Sequence, residues 1–145
     1  MSALCYADEG DLFIDITLIS KHIGTKDNFN EVNPGIGLSY FVAKNWELRG
    51  GYFHNSYKRP TFYMAANYVP VIFDLENFTF TLGIAGGLAT GYKKGEIHIE
   101  NNNLTFNGIT PMLAPSVTAL FKPINTRVVF LLLGNALALQ VSYLL

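Results

Sequence analysis

The segment Phe78–Thr90, with the sequence FTFTLGIAGGLAT, decides the fold class. Its large apolar residues fall on one face of an extended chain, and its small residues fall on the other face. In a water-soluble sheet the large residues would form the core and the second face would carry charges. In this segment the second face carries only small residues. This pattern favours a barrel wall whose large residues meet lipid and whose small residues line a narrow lumen.

The composition favours the same interpretation. Charged residues make up 14% of the 145 residues, and the mean hydropathy is +0.24, whereas soluble domains carry about 25% charged residues. No run approaches the roughly 18 to 20 apolar residues of a spanning helix, so a chain that crosses a bilayer must do so as a closed barrel. A net charge of -1 without a basic stripe argues against a nucleic-acid partner. We therefore predict an all-β fold, an eight-stranded antiparallel transmembrane β-barrel of the bacterial outer membrane.

Seven further alternating segments complete the barrel. Strands are predicted at residues 12–22, 35–41, 46–55, 61–69, 109–121, 128–133 and 137–145. Pro70 predicts a turn after the fourth strand, while Pro111 and Pro115 predict missing ladder bonds and a sideways opening in the sixth. Residues 1–7 are similar to the tail of a secretory signal, so the predicted single barrel domain covers residues 8–145.

Polar residues meet at one rim of this barrel. The hairpin of the second and third strands places Glu31 beside Asn55 and Ser56. The antiparallel first strand ends at the same rim with His22, and simple alternation puts Ser20 and His22 on the face of Leu12, Ile14, Ile16 and Leu18. A base, a carboxylate and a hydroxyl therefore converge, although the same residues are also what ordinary loop ends carry.

These residues carry a resemblance to a known family. The runs DLFIDITLISKH (residues 11–22), FNEVNPGIGLSY (29–40), NWELRGGYFHNS (45–56) and ENFTFTLGIAGGLATG (76–91), followed by the proline-broken strand, resemble the outer-membrane lipid A palmitoyltransferases, the PagP-like barrels. That family moves a palmitoyl group from a phospholipid to lipid A and holds the acyl chain in the barrel. The resemblance implies those two lipid partners, an essential histidine at His22 and an essential serine at Ser56. The family's aspartate before that serine is Asn55 here.

The chemistry of acyl transfer assigns a role to each rim residue. His22 can deprotonate the attacking hydroxyl, and Ser56 can be either a nucleophile or a donor to the oxyanion. Glu31 can orient the imidazole, and the amide of Asn55 can donate a hydrogen bond. Near the rim, Lys58, Arg59 and Lys93 can hold lipid phosphates, or they can be ordinary solvated charges.

The predicted acyl-chain pocket is the inner wall formed by Ala65, Asn67, Gly83, Ala85 and Gly87. The resemblance places Asn67 at the pocket floor, where the family has a small residue. A buried unpaired amide costs about 1 to 3 kcal/mol, so we expect the selected chain to be shorter than palmitate.

Two other function classes stay open. One is a related hydrolase, a lipid A deacylase built from the same residues. The other is a non-enzymatic surface barrel that serves adhesion, exclusion or structure. We expect a monomer with no cofactor and no metal, since no two histidines lie at ligand spacing on one element.

Overall fold

The computed structural model describes residues 7–22, 32–55, 58–91, 108–133 and 136–145. Each strand pairs antiparallel with the next and the last pairs with the first, so the sheet closes into a barrel. This confirms the predicted fold class. The strands are β1 (Leu12–His22), β2 (Val32–Ala43), β3 (Trp46–His54), β4 (Pro60–Asp74), β5 (Phe78–Thr90), β6 (Ile109–Phe121), β7 (Thr126–Leu133) and β8 (Ala136–Leu144).

The two ends of the barrel differ. We call the end where β1, β3 and β5 finish the upper rim, and the opposite end the lower end. Short turns close the lower end, including the 3-10 turn Lys122–Ile124 between β6 and β7. Among the described residues, no helix is long and apolar enough to cross a membrane.

The predicted turn at Pro70 is wrong. β4 continues through Pro70 to Asp74, and its register with β5 shifts between Tyr68 and Val71. Pro70 therefore lies in a bulge. A residue without an N–H is tolerated there because the ladder is already interrupted.

A second register shift changes the face that β1 presents. Pairing with both β2 and β8 shifts between Thr17 and Ile19. Thr17 is buried, Leu18 and Ile19 are both exposed, and Ser20 is only 8% exposed. The prediction that Ser20 shares the face of Leu12 is wrong, because the bulge turns Ser20 into the barrel.

The outer surface is apolar and the interior is polar. Large hydrophobic residues are at least half exposed on consecutive strands, among them Leu38, Leu48, Met64, Leu82 and Leu113. Buried side chains include Asp15, Glu47, Arg49, Arg127 and many threonines and serines. The expectation that the inner face is merely small holds for β5 and is wrong for the whole lumen. An apolar outer band around a polar interior is the distribution expected in lipid.

A hydrophobic plug closes the lower end. It consists of Ala7, Phe13, Phe41, Val69 and Leu120, all buried. The N-terminal segment reaches it through backbone hydrogen bonds: the Gly10 N–H donates to the Phe41 carbonyl, and the Phe41 N–H donates to the Asp11 carbonyl. The lumen is therefore packed shut at this end.

Candidate functional site

The register brings the ends of β1 and β3 to the upper rim, as predicted. His22 is the last residue of β1 and pairs with Ala136 of β8, while Asn55 directly follows β3. Glu31, Ser56 and Lys93 lie outside the described residues. His22 and Asn55 therefore lie at the same end of the barrel, and the convergence of the four predicted site residues stays a prediction.

Asn55 is fully buried in the turn between β3 and β4. Its Nδ2 donates to Thr61 Oγ1 at 3.0 Å and to the Gly91 carbonyl at 2.9 Å. Its Oδ1 accepts from the Arg59 N–H at 3.2 Å. A side-chain amide has two N–H groups, and both are donated here. Donation to an oxyanion would require one of these bonds to break.

The predicted head-group residues Lys58 and Arg59 belong to the same turn. The Lys58 N–H donates to the Asn55 carbonyl, and Lys58 has a left-handed backbone with φ of 60°. Arg59 Nε donates to the Gly91 carbonyl at 2.9 Å. Arg59 therefore fastens the turn to the end of β5, whereas Lys58 presents an exposed cation at the upper rim.

A hydrogen-bonded bridge at the upper rim was not predicted from the sequence. Ser20 Oγ donates to Asn33 Oδ1 at 2.5 Å, and Asn33 Nδ2 donates to the His54 carbonyl at 3.0 Å. Asn33 is 2% exposed. One side chain on β2 thus joins the ends of β1 and β3. The sequence signal was weak, a serine two residues before His22 and an asparagine directly before Pro34.

The wall of the barrel is interrupted beside β6. The β5–β6 ladder is continuous from the Thr90–Ile109 pair to the Phe78–Phe121 pair. The β6–β7 ladder runs only from the Ser116–Leu131 pair to the lower end. Residues 111–115 therefore have no ladder pair with β7 within the described ranges. The predicted interruption at the prolines is present on the β7 side and absent on the β5 side.

The predicted pocket residues of β4 and β5 are closely packed. A Cβ added to Gly87 would lie 2.6 Å from Ala65 Cα, and one added to Gly83 would lie 2.9 Å from Asn67 Oδ1. Ala85, between these two glycines, is buried. Glycine at these two positions lets the neighbouring strand and its side chains approach closely.

Asn67 is buried and its amide is paired. Its Nδ2 donates to Glu47 Oε2 at 3.0 Å, and its Oδ1 accepts from Ser116 Oγ at 3.4 Å. The expectation of an unpaired amide is therefore wrong. A paired amide carries no penalty that would select an acyl chain shorter than palmitate.

Below the rim, four ionised side chains form what we call the charge cluster: Asp15, Glu47, Arg49 and Arg127. Each side chain is at most 2% exposed. Arg127 pairs with Glu47 and lies 3.5 Å from Asp15, while Arg49 lies 3.5 Å from Asp15 and 3.8 Å from Glu47. Two positive and two negative charges therefore neutralise one another. Within the described ranges, no three His, Cys, Asp or Glu residues are grouped so as to hold a metal ion.

A polar layer extends from the charge cluster across the lumen. Gln140 Oε1 accepts from Arg49 Nη2 at 2.5 Å, and Gln140 Nε2 donates to Thr17 Oγ1 at 2.9 Å and to Tyr63 Oη at 3.4 Å. β4 and β8 lie on opposite sides of an eight-stranded barrel, so the contact between Tyr63 and Gln140 spans the interior. Tyr63 is four residues nearer the upper rim than Asn67. A chain that enters from the rim meets Tyr63 first.

The chain matches no known family model and no curated protein. It is similar to several solved structures, among them the following three. A de novo designed transmembrane β-barrel has a TM-score of 0.60 at 14% identity, covering 96% of this chain and 98% of that chain. The N-terminal β-barrel domain of Pseudomonas aeruginosa OprF has a TM-score of 0.51 at 13% identity, covering 96% and 100%. The Yersinia pestis outer membrane protein Ail has a TM-score of 0.43 at 14% identity, covering 94% and 100%. The likenesses to the first two structures show a β-barrel fold, in agreement with the predicted fold class.

Proposed function

We propose that the chain is a PagP-like outer-membrane acyltransferase that moves a fatty acyl chain from a phospholipid to lipid A at the upper rim. The observation that carries the proposal is the interrupted wall. Residues 111–115 of β6, which include Pro111 and Pro115, form no ladder pair with β7 within the described ranges. A closed ladder bars lateral entry, whereas a gap in it gives a lipid chain a route from the bilayer into the barrel.

The shape of the lumen supports the same proposal. The hydrophobic plug and the charge cluster fill the lower lumen, so a guest is confined between the upper rim and the layer of Tyr63 and Gln140. Small buried residues line the wall on β5, β6 and β8: Ala89, Ala114 and Ala138. Small apolar side chains leave room for a slender apolar chain.

In this proposal the reaction is an ester exchange. His22 takes the proton of a lipid A hydroxyl, and the hydroxyl oxygen attacks the ester carbonyl of the phospholipid. The tetrahedral oxyanion then collapses and expels the lysophospholipid oxygen, which receives the proton from His22. In this direct route Ser56 donates a hydrogen bond to the oxyanion. In the two-step alternative Ser56, deprotonated by His22, attacks the phospholipid ester and expels the lysophospholipid, and the lipid A hydroxyl then attacks the acyl-serine and releases Ser56. Glu31 orients His22, and Lys58 faces the lipid phosphates.

Mass spectrometry of lipid A from cells that express the protein tests this function. The wild type should add the mass of one acyl chain, and His22→Asn and Ser56→Ala should each lower transfer about 100-fold or more. His54→Asn is the matched control, because His54 is an exposed histidine at the same rim, in contact with Tyr52 Oη at 3.3 Å. It should retain transfer.

The outcomes separate the alternatives. A folded wild-type barrel, recognised by heat-modifiable gel migration, that leaves lipid A unchanged would overturn the proposal. A loss of acyl mass would assign the deacylase instead. Full transfer by the Ser56→Ala protein would remove Ser56 from the mechanism.

A non-enzymatic surface barrel is the second candidate. One observation favours it: both amide protons of Asn55 are donated within the β3–β4 turn, which gives this predicted site residue a structural role. In that case the segments beyond the upper rim carry the function. Lipid A would then be unchanged whether or not His22 and Ser56 are present.

A further inference from the structure

We propose that Asn33 is a positioning residue for acyl transfer. It sets the separation between the end of β1, which carries His22, and the end of β3, two residues before Ser56. This inference rests on the proposed function. Asn33 itself would touch neither lipid.

The hydrogen bonds of Asn33 join two strands that are not neighbours. β1 and β3 are separated by β2, and Asn33 on β2 accepts from Ser20 at 2.5 Å and donates to the His54 carbonyl at 3.0 Å. The bulge in β1 is what turns Ser20 inward to meet it. Bulges next to functional sites commonly re-aim a side chain in this way.

The hydrogen bonds of Asn33 lie nearer the upper rim than the last backbone pair between β2 and β3. The first pair between these strands is Gly35 with Phe53, and Pro34 has no N–H to donate. The Asn33 amide therefore supplies a cross-strand bond where no backbone pair between β2 and β3 is formed in the described part of the chain. Because Asn33 is buried, water does not compete for these bonds.

The expected effect is on the chemical step. A misplacement of about 1 Å between reacting groups can cost about 100-fold in rate. Loosening the ends of β1 and β3 should disturb the geometry of His22 and Ser56 without altering the lumen that binds the acyl chain. The rate constant should fall while the Michaelis constant stays nearly unchanged.

Four variants test the bridge from both sides. Asn33→Asp keeps the acceptor for Ser20 but cannot donate to the His54 carbonyl, and Ser20→Ala removes the other bond. Ser20→Thr keeps the hydroxyl and should therefore retain the activity of the wild type. Asn45→Asp is the matched control, since Asn45 Nδ2 also donates to a carbonyl of a neighbouring strand, that of Val69 at 2.6 Å, but at the lower end.

The assay measures kcat and KM for transfer between phospholipid and purified lipid A in reconstituted vesicles. Asn33→Asp and Ser20→Ala should each lower kcat about 10- to 100-fold with KM within about 2-fold, and Ser20→Thr and Asn45→Asp should stay within about 2-fold of wild type. Equal losses in Asn33→Asp and Asn45→Asp, no loss in Asn33→Asp, or an effect on KM alone would overturn the positioning role. An inactive folded wild type would instead overturn the proposed function, so the two failures are distinguishable.

Discussion

Replacing Arg127 with methionine should destabilise the barrel by about 3 to 5 kcal/mol, the usual cost of removing one partner from a buried ion pair. The Arg127 guanidinium is fully buried, pairs with Glu47, lies 3.5 Å from Asp15 and sits 4.1 Å from the centre of the Phe13 ring. Methionine retains apolar contact with Phe13 but removes the charge. Asp15 and Glu47 are then left with Arg49 as their one remaining cation in the charge cluster.

The magnitude follows from the charge count of the cluster. The wild type has two positive and two negative groups. Arg127→Met leaves a net charge of about -1 in the interior, and Glu47→Gln leaves about +1, which is costly in a low-dielectric interior. The double variant restores neutrality and keeps the 3.5 Å pair of Arg49 and Asp15. It should therefore cost less than the sum of the two single variants, by about 1 to 3 kcal/mol.

Urea unfolding in phospholipid vesicles measures these differences. Trp46 is the single tryptophan and reports unfolding by fluorescence, and heat-modifiable migration on a gel reports the folded fraction. Lys122→Met is the control. Lys122 pairs with Asp74 at 2.7 Å in the lower turn, where Asp74 is 46% exposed, and such exposed pairs contribute about 1 kcal/mol or less.

Two results would contradict the stabilising role of Arg127 in the charge cluster. One is an Arg127→Met protein no less stable than the Lys122→Met control. The other is a double variant whose loss equals the sum of the single losses, because additivity would mean that Arg127 and Glu47 do not interact.

Three further predictions follow from the site and the fold. Asn55→Asp should lose about 1 to 3 kcal/mol in the same unfolding assay, because a carboxylate cannot donate to Thr61 and Gly91; unchanged stability would show that the turn does not depend on the amide. Asn67→Gly should leave the mass of the transferred acyl chain unchanged, because Tyr63 spans the lumen nearer the rim, and a longer transferred chain would restore Asn67 as the pocket floor. Protease added to intact cells should cut within residues 25–31, 57–60 or 93–107 and spare the lower turns, whereas cleavage at the lower turns alone would reverse the orientation.

The alternation of side chains predicted the strands wherever the ladder is regular. β1, β5 and β6 have the predicted bounds, and the ladder between β5 and β6 is continuous from end to end. The errors at Pro70 and Ser20 both come from bulges. A bulge depends on the register of the partner strand, and the local sequence does not contain that information.

The interior was predicted less well than the wall. The inner face of β5 carries small residues, and the prediction extended this property to every strand. It thereby overlooked charged residues on other strands, such as Asp15 and Arg127, which alternate along their strands with largely apolar residues. Periodicity can place such residues inside, but Asp15 and Arg127, whose charged groups lie 3.5 Å apart, are more than a hundred positions apart in the sequence. These ion pairs can be predicted only once the strand register of the closed barrel is known. The Asn33 bridge was hidden for the same reason, since it requires both a bulge and a three-strand register.

The hydrophobic plug limits exchange between the lumen and the compartment below the lower end. Ala7, Phe13, Phe41, Val69 and Leu120 pack together at that end, so we expect the barrel to carry no ionic current across a planar bilayer. Any molecule inside must exchange through the upper rim or through the gap beside β6. Its occupancy is then set by the bilayer and by the compartment above the rim, and the composition of the compartment below has no influence on it.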